Sequence, residues 1–285
     1  MTKLHDNISP LDSRYATKIE SARLIFSEAN LIKIRFEIEI DWLIYLCKKL
    51  PKKFPNISNN SLKKILNFKN SFNEKSVLAI KKIELKTNHD VKAVEYYIRD
   101  FFLKDRILSK YINLIHFGLT SEDLNSLSYA VIIKSGINDH LNNLKSLQAL
   151  LAKKSKQWSV IPLLARTHGQ PASPSTLGKE IKVFLKRIEA QKEMLIQIPF
   201  GAKFSGATGN FNAHQVAYPD IDWKAFGTKF VEKSLGLSFS FPTTQIEHYD
   251  SFAALCDNIK RINTIIIDLN RDMWQYISMD YFKQK

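Results

Sequence analysis

The sequence predicts an all-α protein, an elongated helical bundle, on three observations. Apolar residues recur at steps of three and four along most of the 285 residues, the spacing of amphipathic helices. Gly and Pro number only nine each, so long helices meet few breakers. No stretch sustains the strict alternation of apolar and polar residues that marks a strand. With 45% hydrophobic and 11% aromatic residues, the chain has enough material for a real core.

Residues 1–16 read as an irregular arm containing Pro10. From about Thr17 to Leu50 runs one long periodic pattern (Ile19, Ala22, Leu31, Ile34, Ile38, Trp42, Leu46), ended by Pro51 and Pro55. Shorter helices are expected over 60–70 and 72–84. Asn88 or Asp90 can cap a helix over 90–103, with Val91, Val94, Ile98 and Phe101 inward. Thr120-Ser121-Glu122-Asp123 has the form of a capping sequence and opens a helix running towards Trp158, which Gly136 weakens locally. Pro162 to Pro174 reads as a polar turn with three prolines, followed by a helix over 176–197. A Gly/Asn-rich loop spans 200–220, helix returns over 222–234, and 237–248 is extended or irregular. A last helix starts near Tyr249 and carries the stripe Phe252, Leu255, Ile259, Ile262, Ile266, Leu269 and Met273 to the end of the chain.

The net charge of +14 and pI near 9.6 would suit anionic partners. Lysine pairs are scattered rather than massed, and Lys, Ile and Asn are abundant throughout, as an AT-rich coding sequence produces. A nucleic-acid surface is therefore not expected. The first residues lack the apolar core of a signal peptide, and runs such as Ile265-Ile266-Ile267 are far too short to span a bilayer. A cytoplasmic protein without membrane contact is expected. Cys47 and Cys256 read as buried free thiols of a reducing compartment, and Asp257/Arg261 as a surface pair one helical turn apart.

Four polar clusters stand at helix starts or in turns: 9–15 (SPLDSRY), 86–92 (KTNHDVK), 116–123 (HFGLTSED) and 166–172 (RTHGQPA). Helix N-termini attract anions through free N–H groups and the dipole, so Asn88/His89 and Thr120/Ser121 suit phosphate or carboxylate groups. Arg14 offers a bidentate clamp. His168, between prolines in a Gly-containing turn, can be aimed at a pocket as a proton donor near neutral pH. Each feature also has a plainer explanation: Thr120 and Ser121 as a cap, His89 as a cap or surface residue, His168 as a stabiliser of its turn, Arg14 as a solvated side chain, and His116 as a hydrogen-bonded core histidine. No metal-ligand spacing, Walker loop or dinucleotide fingerprint is present.

Taken together the clusters resemble a family. Thr120 to Ser126 (TSEDLNS) resembles the first conserved block of the fumarase/aspartase superfamily, and Thr167 to Ala172 (THGQPA) the second. Thr87 to Tyr96 (TNHDVKAVEY), Ser9 to Tyr15 and Thr243 to Glu247 (TTQIE) narrow the resemblance to its adenylosuccinate lyase branch, over essentially the whole chain. That resemblance implies a C–N lyase expelling fumarate from adenylosuccinate to give AMP, and from SAICAR to give AICAR, by β-elimination in purine biosynthesis, without metal or organic cofactor. It implies His168 as general acid and His89 as an orienting residue that helps bind phosphate, flanked by Asn88 and Asp90. Arg14 and Tyr15 would hold the phosphate, Thr120, Ser121 and Thr167 the carboxylates, with Asn210 and Gln245 as further substrate contacts. It implies an N-terminal helical domain over 1–111 and an incomplete long-helix bundle over 112–285, in a homotetramer whose sites are shared between subunits. The superfamily's base, a serine on a Gly-Ser-Ser-rich loop, is expected just beyond Lys285, so no residue here is assigned as base. A chain ending at that point would expose the stripe Ile262–Met273 and aggregate. A catalytically incomplete remnant, or a lyase acting on another amino-succinate, are the alternative readings.

Overall fold

The computed structural model describes residues 9–284, and the structure is mainly helical. Two 3-10 turns, Pro10–Asp12 and Ala16–Lys18, lead into α1 (Glu20–Phe26), α2 (Glu28–Lys49), α3 (Asn59–Asn70), α4 (Glu74–Thr87) and α5 (Asp90–Leu103). A further 3-10 turn, Ser109–Leu114, precedes α6 (Ser121–Gln157). Then come β1 (Pro162–Thr167), β2 (Gln170–Thr176), α7 (Leu177–Leu195), β3 (Gly201–Ala202), α8 (Asn212–Ala217), α9 (Trp223–Lys229), β4 (Ser238–Phe239) and α10 (Asp250–Ser278). Among the described residues no helix is long and apolar enough to cross a membrane.

Two compact units emerge: residues up to 136 with 200–248, and 137–199 with 249 onward. The core begun by Ile32, Phe36 and Val94 continues into Leu124, Leu127, Phe204, Trp223 and Phe230 of the first unit.

The first unit is built around aromatic packing. Trp42 is fully buried, its ring centroid 4.8 Å from Phe204 and 5.0 Å from Phe230. Phe36 meets Phe68 edge-on at 5.1 Å. Burying one such ring contributes about 4–6 kcal/mol before entropy is subtracted. The short parallel pair β3–β4 ties 201–202 to 238–239.

In the second unit α7 packs along α10, with Ile181, Phe184, Ile188, Leu255, Ile262 and Leu269 buried. Ser155 donates to the Gly178 carbonyl at 2.9 Å, and a Cβ on Gly178 would strike the backbone at Ser155 and Ser159. That close approach is what glycine permits there.

Several expectations are corrected. The long helix expected from Thr17 is broken at Ser27, whose ψ of 153° ends α1 while its hydroxyl accepts from the Asn30 N–H to cap α2. The expected turn over 162–174 is an antiparallel hairpin, β1 on β2. Its exposed, proline-containing strands carry no buried face and so left no alternating signal. The loop over 200–220 contains α8, and the helix over 222–234 widens after Lys229 into a π turn, Phe230–Ser234. Gly136 makes room for Phe26, whose ring tip occupies the place of a Cβ. Cys47 is buried but Cys256 is exposed. Asp257 pairs with Lys260 at 2.8 Å, and Arg261 reaches Gln191. The last helix stops at Ser278, and the stripe along it is largely covered: Leu255, Ile262 and Leu269 are buried, Ile259, Ile266 and Met273 half-buried, and Phe252 exposed.

Candidate active site

Four segments of the first unit meet. α4 ends at Asn88, whose φ of 49° is the left-handed conformation asparagine tolerates. The chain turns there, and His89 caps α5: its Nδ1 accepts from the Lys92 N–H at 3.2 Å. An accepting Nδ1 leaves the ring proton on Nε2, and Nε2 lies 3.4 Å from Ser121 Oγ, at the first turn of α6. Two helix N-termini, of α5 and α6, are thus joined by one side-chain contact, with a cavity of about 510 Å³ beside Asn88, His89 and Asp90. Asp90 pairs with Arg35 of α2 at 2.8 Å. Burial would raise its pKa, but the guanidinium, the Val91 N–H and His89 outweigh burial and hold the carboxyl below its ordinary value.

The start of α6 is held from below. Asp123, fully buried, accepts from the Thr120 N–H at 2.9 Å, the backbone half of the expected capping box. Its carboxylate also takes the Ser205 N–H at 2.9 Å, the Gly206 N–H at 3.0 Å and the Lys203 ammonium at 2.5 Å. Lys203 is itself fully buried and donates to the Gly206 carbonyl at 2.6 Å. So Thr120 and Ser121 are fixed to the loop that carries Asn210. Gly209, at φ 82°, presses that loop against the Thr243 and Thr244 carbonyls, where a Cβ would collide. Gln245 follows, and the Glu247 N–H closes the ring on Glu122 at 3.4 Å. Asn210 and Gln245 are both exposed.

The segment before Thr120 is pinned as well. Glu39 accepts from the His116 N–H at 3.1 Å and pairs with His116 Nδ1 at 2.5 Å. Burial alone would lower the His116 pKa, yet the Glu39 carboxylate raises it above its ordinary value. His116 is therefore the hydrogen-bonded core histidine that the sequence allowed. His214 lies against Gly118 inside a cage of Trp42, Phe117, Phe211 and Trp223. Burial pushes its pKa down to about 4.

Arg14 and Tyr15 are exposed on the N-terminal turns, the guanidinium 5.5 Å over the Tyr15 ring, with that region fastened by Arg23 to Asp12 at 3.0 Å. Thr167 and His168 belong to the second unit. Thr167 faces Gln170 across the hairpin, and His168 with Gly169 forms its two-residue turn, at φ 54° and 75°. Positive φ at both positions is the backbone of a type I′ turn, and it leaves His168 exposed at the hairpin tip.

Sequence reasoning missed Arg35, Glu39 and Lys203. The one signal for the first two was a pair of charges at inward positions of an otherwise apolar stripe; Lys203 gave none.

The family model described as Lyase matches residues 13–285. The adenylosuccinate lyase of Dictyostelium discoideum is 47% identical over 98% of this chain and 61% of its own length. That of Escherichia coli is 42% identical, again over 98% of this chain and 61% of the relative. This chain therefore spans about three fifths of the length of the curated relatives it matches. A fumarate lyase from Mesorhizobium sp. superposes with TM-score 0.75 at 16% identity, covering 90% of this chain and 57% of that one. A β-carboxy-cis,cis-muconate cycloisomerase from Acinetobacter calcoaceticus superposes with TM-score 0.70 at 16% identity, covering 93% and 60%. At that identity the structures speak for the fold.

Proposed function

The chain belongs to the lyase family, and from that membership we propose that it is the nucleotide-binding part of an adenylosuccinate lyase, releasing fumarate from adenylosuccinate and from SAICAR. The observation that carries the reading is the juxtaposition of His89 and Ser121 at the starts of two helices. Both helix dipoles and their free N–H groups favour anionic groups at that place, and the proposed substrates carry a phosphate and two carboxylates.

In this reading Asn88, His89 and Asp90 orient the substrate, with Arg14 and Tyr15 on the phosphate. Thr120, Ser121 and Thr167 take the succinyl carboxylates, and Asn210 and Gln245 make further contacts. His168 protonates the leaving nitrogen, while the base is assigned to no residue of this chain. Stabilisation of the charge that develops on the carboxylate is a large contribution to such an elimination.

The reading includes a helical domain over 1–111, a cytoplasmic location and a homotetramer with shared sites. Support for assembly comes from apolar side chains exposed on α7 and α10, with Met194 at 54%, Ile267 at 55% and Trp274 at 76%. An exposed hairpin tip suits an acid that serves a site completed by another subunit.

Calorimetric titration with adenylosuccinate and a spectrophotometric assay of fumarate release test the reading. Saturable binding is expected, and absence of both binding and release overturns it. Where release is seen, His168→Asn should lower kcat by ~10²-fold or more, as for loss of a general acid.

A further inference from the structure

Arg35, Glu39 and Trp42 stand at i, i+4 and i+7 on α2, one face of the helix. Each reaches a segment of the candidate site that is remote in sequence. Arg35 bridges to Asp90 at 2.8 Å, beside His89. Glu39 takes both the backbone and the ring of His116. Trp42 donates its Nε1–H to the Phe117 carbonyl at 3.0 Å. We propose that this face of α2 is a positioning strip, which holds segments 88–90 and 116–121 in register so that His89 and Ser121 present one anion pocket. The proposal rests on the lyase reading for the substrate that fills the pocket.

Stability alone is a poor reason for these residues. Arg35 is 4% exposed and Glu39 1%, both on a stripe otherwise made of Ile32, Trp42, Leu43 and Leu46. Burying charges costs several kcal/mol per ion, and apolar replacements of buried pairs are often neutral or stabilising. Arg35 moreover keeps its buried Nε without a hydrogen-bond partner, a further cost that packing does not return. What the three residues have in common is their targets. All three bind the two segments that meet at His89 and Ser121, and two of the bonds go to backbone atoms, which sets chain position rather than side-chain chemistry. Neighbouring strain fits the same picture: His116 is held at φ 61° and Gly118 at φ 72°, left-handed conformations that need an external hold at the histidine.

Glu39 and Trp42 do not line the cavity beside His89, and Arg35 does so at its wall, where it is paired with Asp90, so their effect passes through His89, Thr120 and Ser121. His89 would contact the phosphate alike in the ground and transition states, whereas Thr120 and Ser121 would also meet the charge that develops on a carboxylate. Loosening His89 should therefore raise KM with kcat nearly unchanged, and loosening Thr120 and Ser121 should lower kcat/KM through kcat as well.

The test uses Glu39→Gln and Arg35→Lys, with Trp42→Phe as the mild variant that keeps a ring and loses a single donor. Lys33→Gln, on the opposite side of α2, is the control. Amide hydrogen exchange is expected to quicken by at least about tenfold over 116–121 in Glu39→Gln and Trp42→Phe, and over 88–91 in Arg35→Lys, with α7 unaffected. KM for adenylosuccinate is expected to rise roughly tenfold in Arg35→Lys with kcat within about twofold, and kcat/KM to fall by at least about tenfold in Glu39→Gln. Native-like exchange in those segments overturns the proposal, as does faster exchange with an unchanged kcat/KM. If the unsubstituted protein neither binds nor cleaves adenylosuccinate, the lyase reading falls instead, and the exchange data still decide whether α2 holds the two segments.

Discussion

The two units place their charges in opposite ways. The first buries its rings in one cluster from Ile32 to Leu237 and sinks ionic groups into it: Lys203 with Asp123, Glu39 with His116, and Arg35 at the edge of Asp90. The second keeps its charges on the surface, as in Arg187–Asp268 at 2.9 Å, and leaves Val160, Met194, Ile196 and Trp274 more than half exposed. The first unit uses its buried ions to hold loops in place. The second is a thinner layer around α7 and α10 whose apolar surplus suits packing against other helices.

The contrast is open to mutation. Its largest consequence is expected at Lys203→Met, which strips Asp123 of its buried counter-ion. Urea unfolding should show a loss of about 3–5 kcal/mol. A loss below about 1 kcal/mol would mean that the pair is not the anchor its burial implies.

Next comes pH. The His214 pKa is depressed to about 4 in the folded state against about 6.5 unfolded. The unfolded chain therefore binds the proton first. The associated stability is complete above about pH 6.5 and is lost as pH falls towards 4, by roughly 3 kcal/mol. His116 has the opposite sign, its raised pKa giving stability that is present at low pH and fades as pH rises through the folded value. Stability followed from pH 7 to pH 4.5 should fall in the unsubstituted protein and fall less steeply in His214→Leu. Parallel curves would remove His214 from the acid limb.

The smallest effects belong to the second unit. Arg187→Gln should cost less than about 1 kcal/mol, because both partners of the ion pair are well exposed. Trp274→Ser should change unfolding free energy by no more than about 0.5 kcal/mol while shifting the apparent mass on a sizing column. An unaltered mass would take Trp274 out of any subunit contact.

Much of this was legible in the sequence where a local rule decides. The helix expected over 90–103 is α5, Asp90–Leu103, with the His89 side chain in place as the cap. The helix expected over 176–197 is α7, capped by Thr176. The polar clusters at 86–92 and 116–123 announced that two helix starts would attract anions, and the structure joins them at His89 and Ser121. What escaped depends on distant partners or on conformation without periodicity. Ser27 breaks a stripe whose apolar spacing runs straight through it, because a single capping hydroxyl outweighs the pattern. The hairpin at Pro162–Thr176 buries neither face, so it left no period to detect. Lys203 looked like one more lysine in a lysine-rich chain, and only the fold places it against Asp123, 80 residues earlier. Arg35 and Glu39 were visible as charges out of phase with their helix, a sign of function whose meaning required the segments they reach.

The turn at the hairpin tip sets limits on its own evolution. Position 168 has φ 54° and position 169 has φ 75°, a backbone shape that asparagine and glycine accept and β-branched residues resist. Drift at residue 168 is filtered by conformation before chemistry: His168→Asn keeps the loop and loses the imidazole, whereas His168→Val loses both. A selection on folding alone would hence drive this tip towards Asn-Gly. The imidazole at this tip is a choice that the turn permits but does not require.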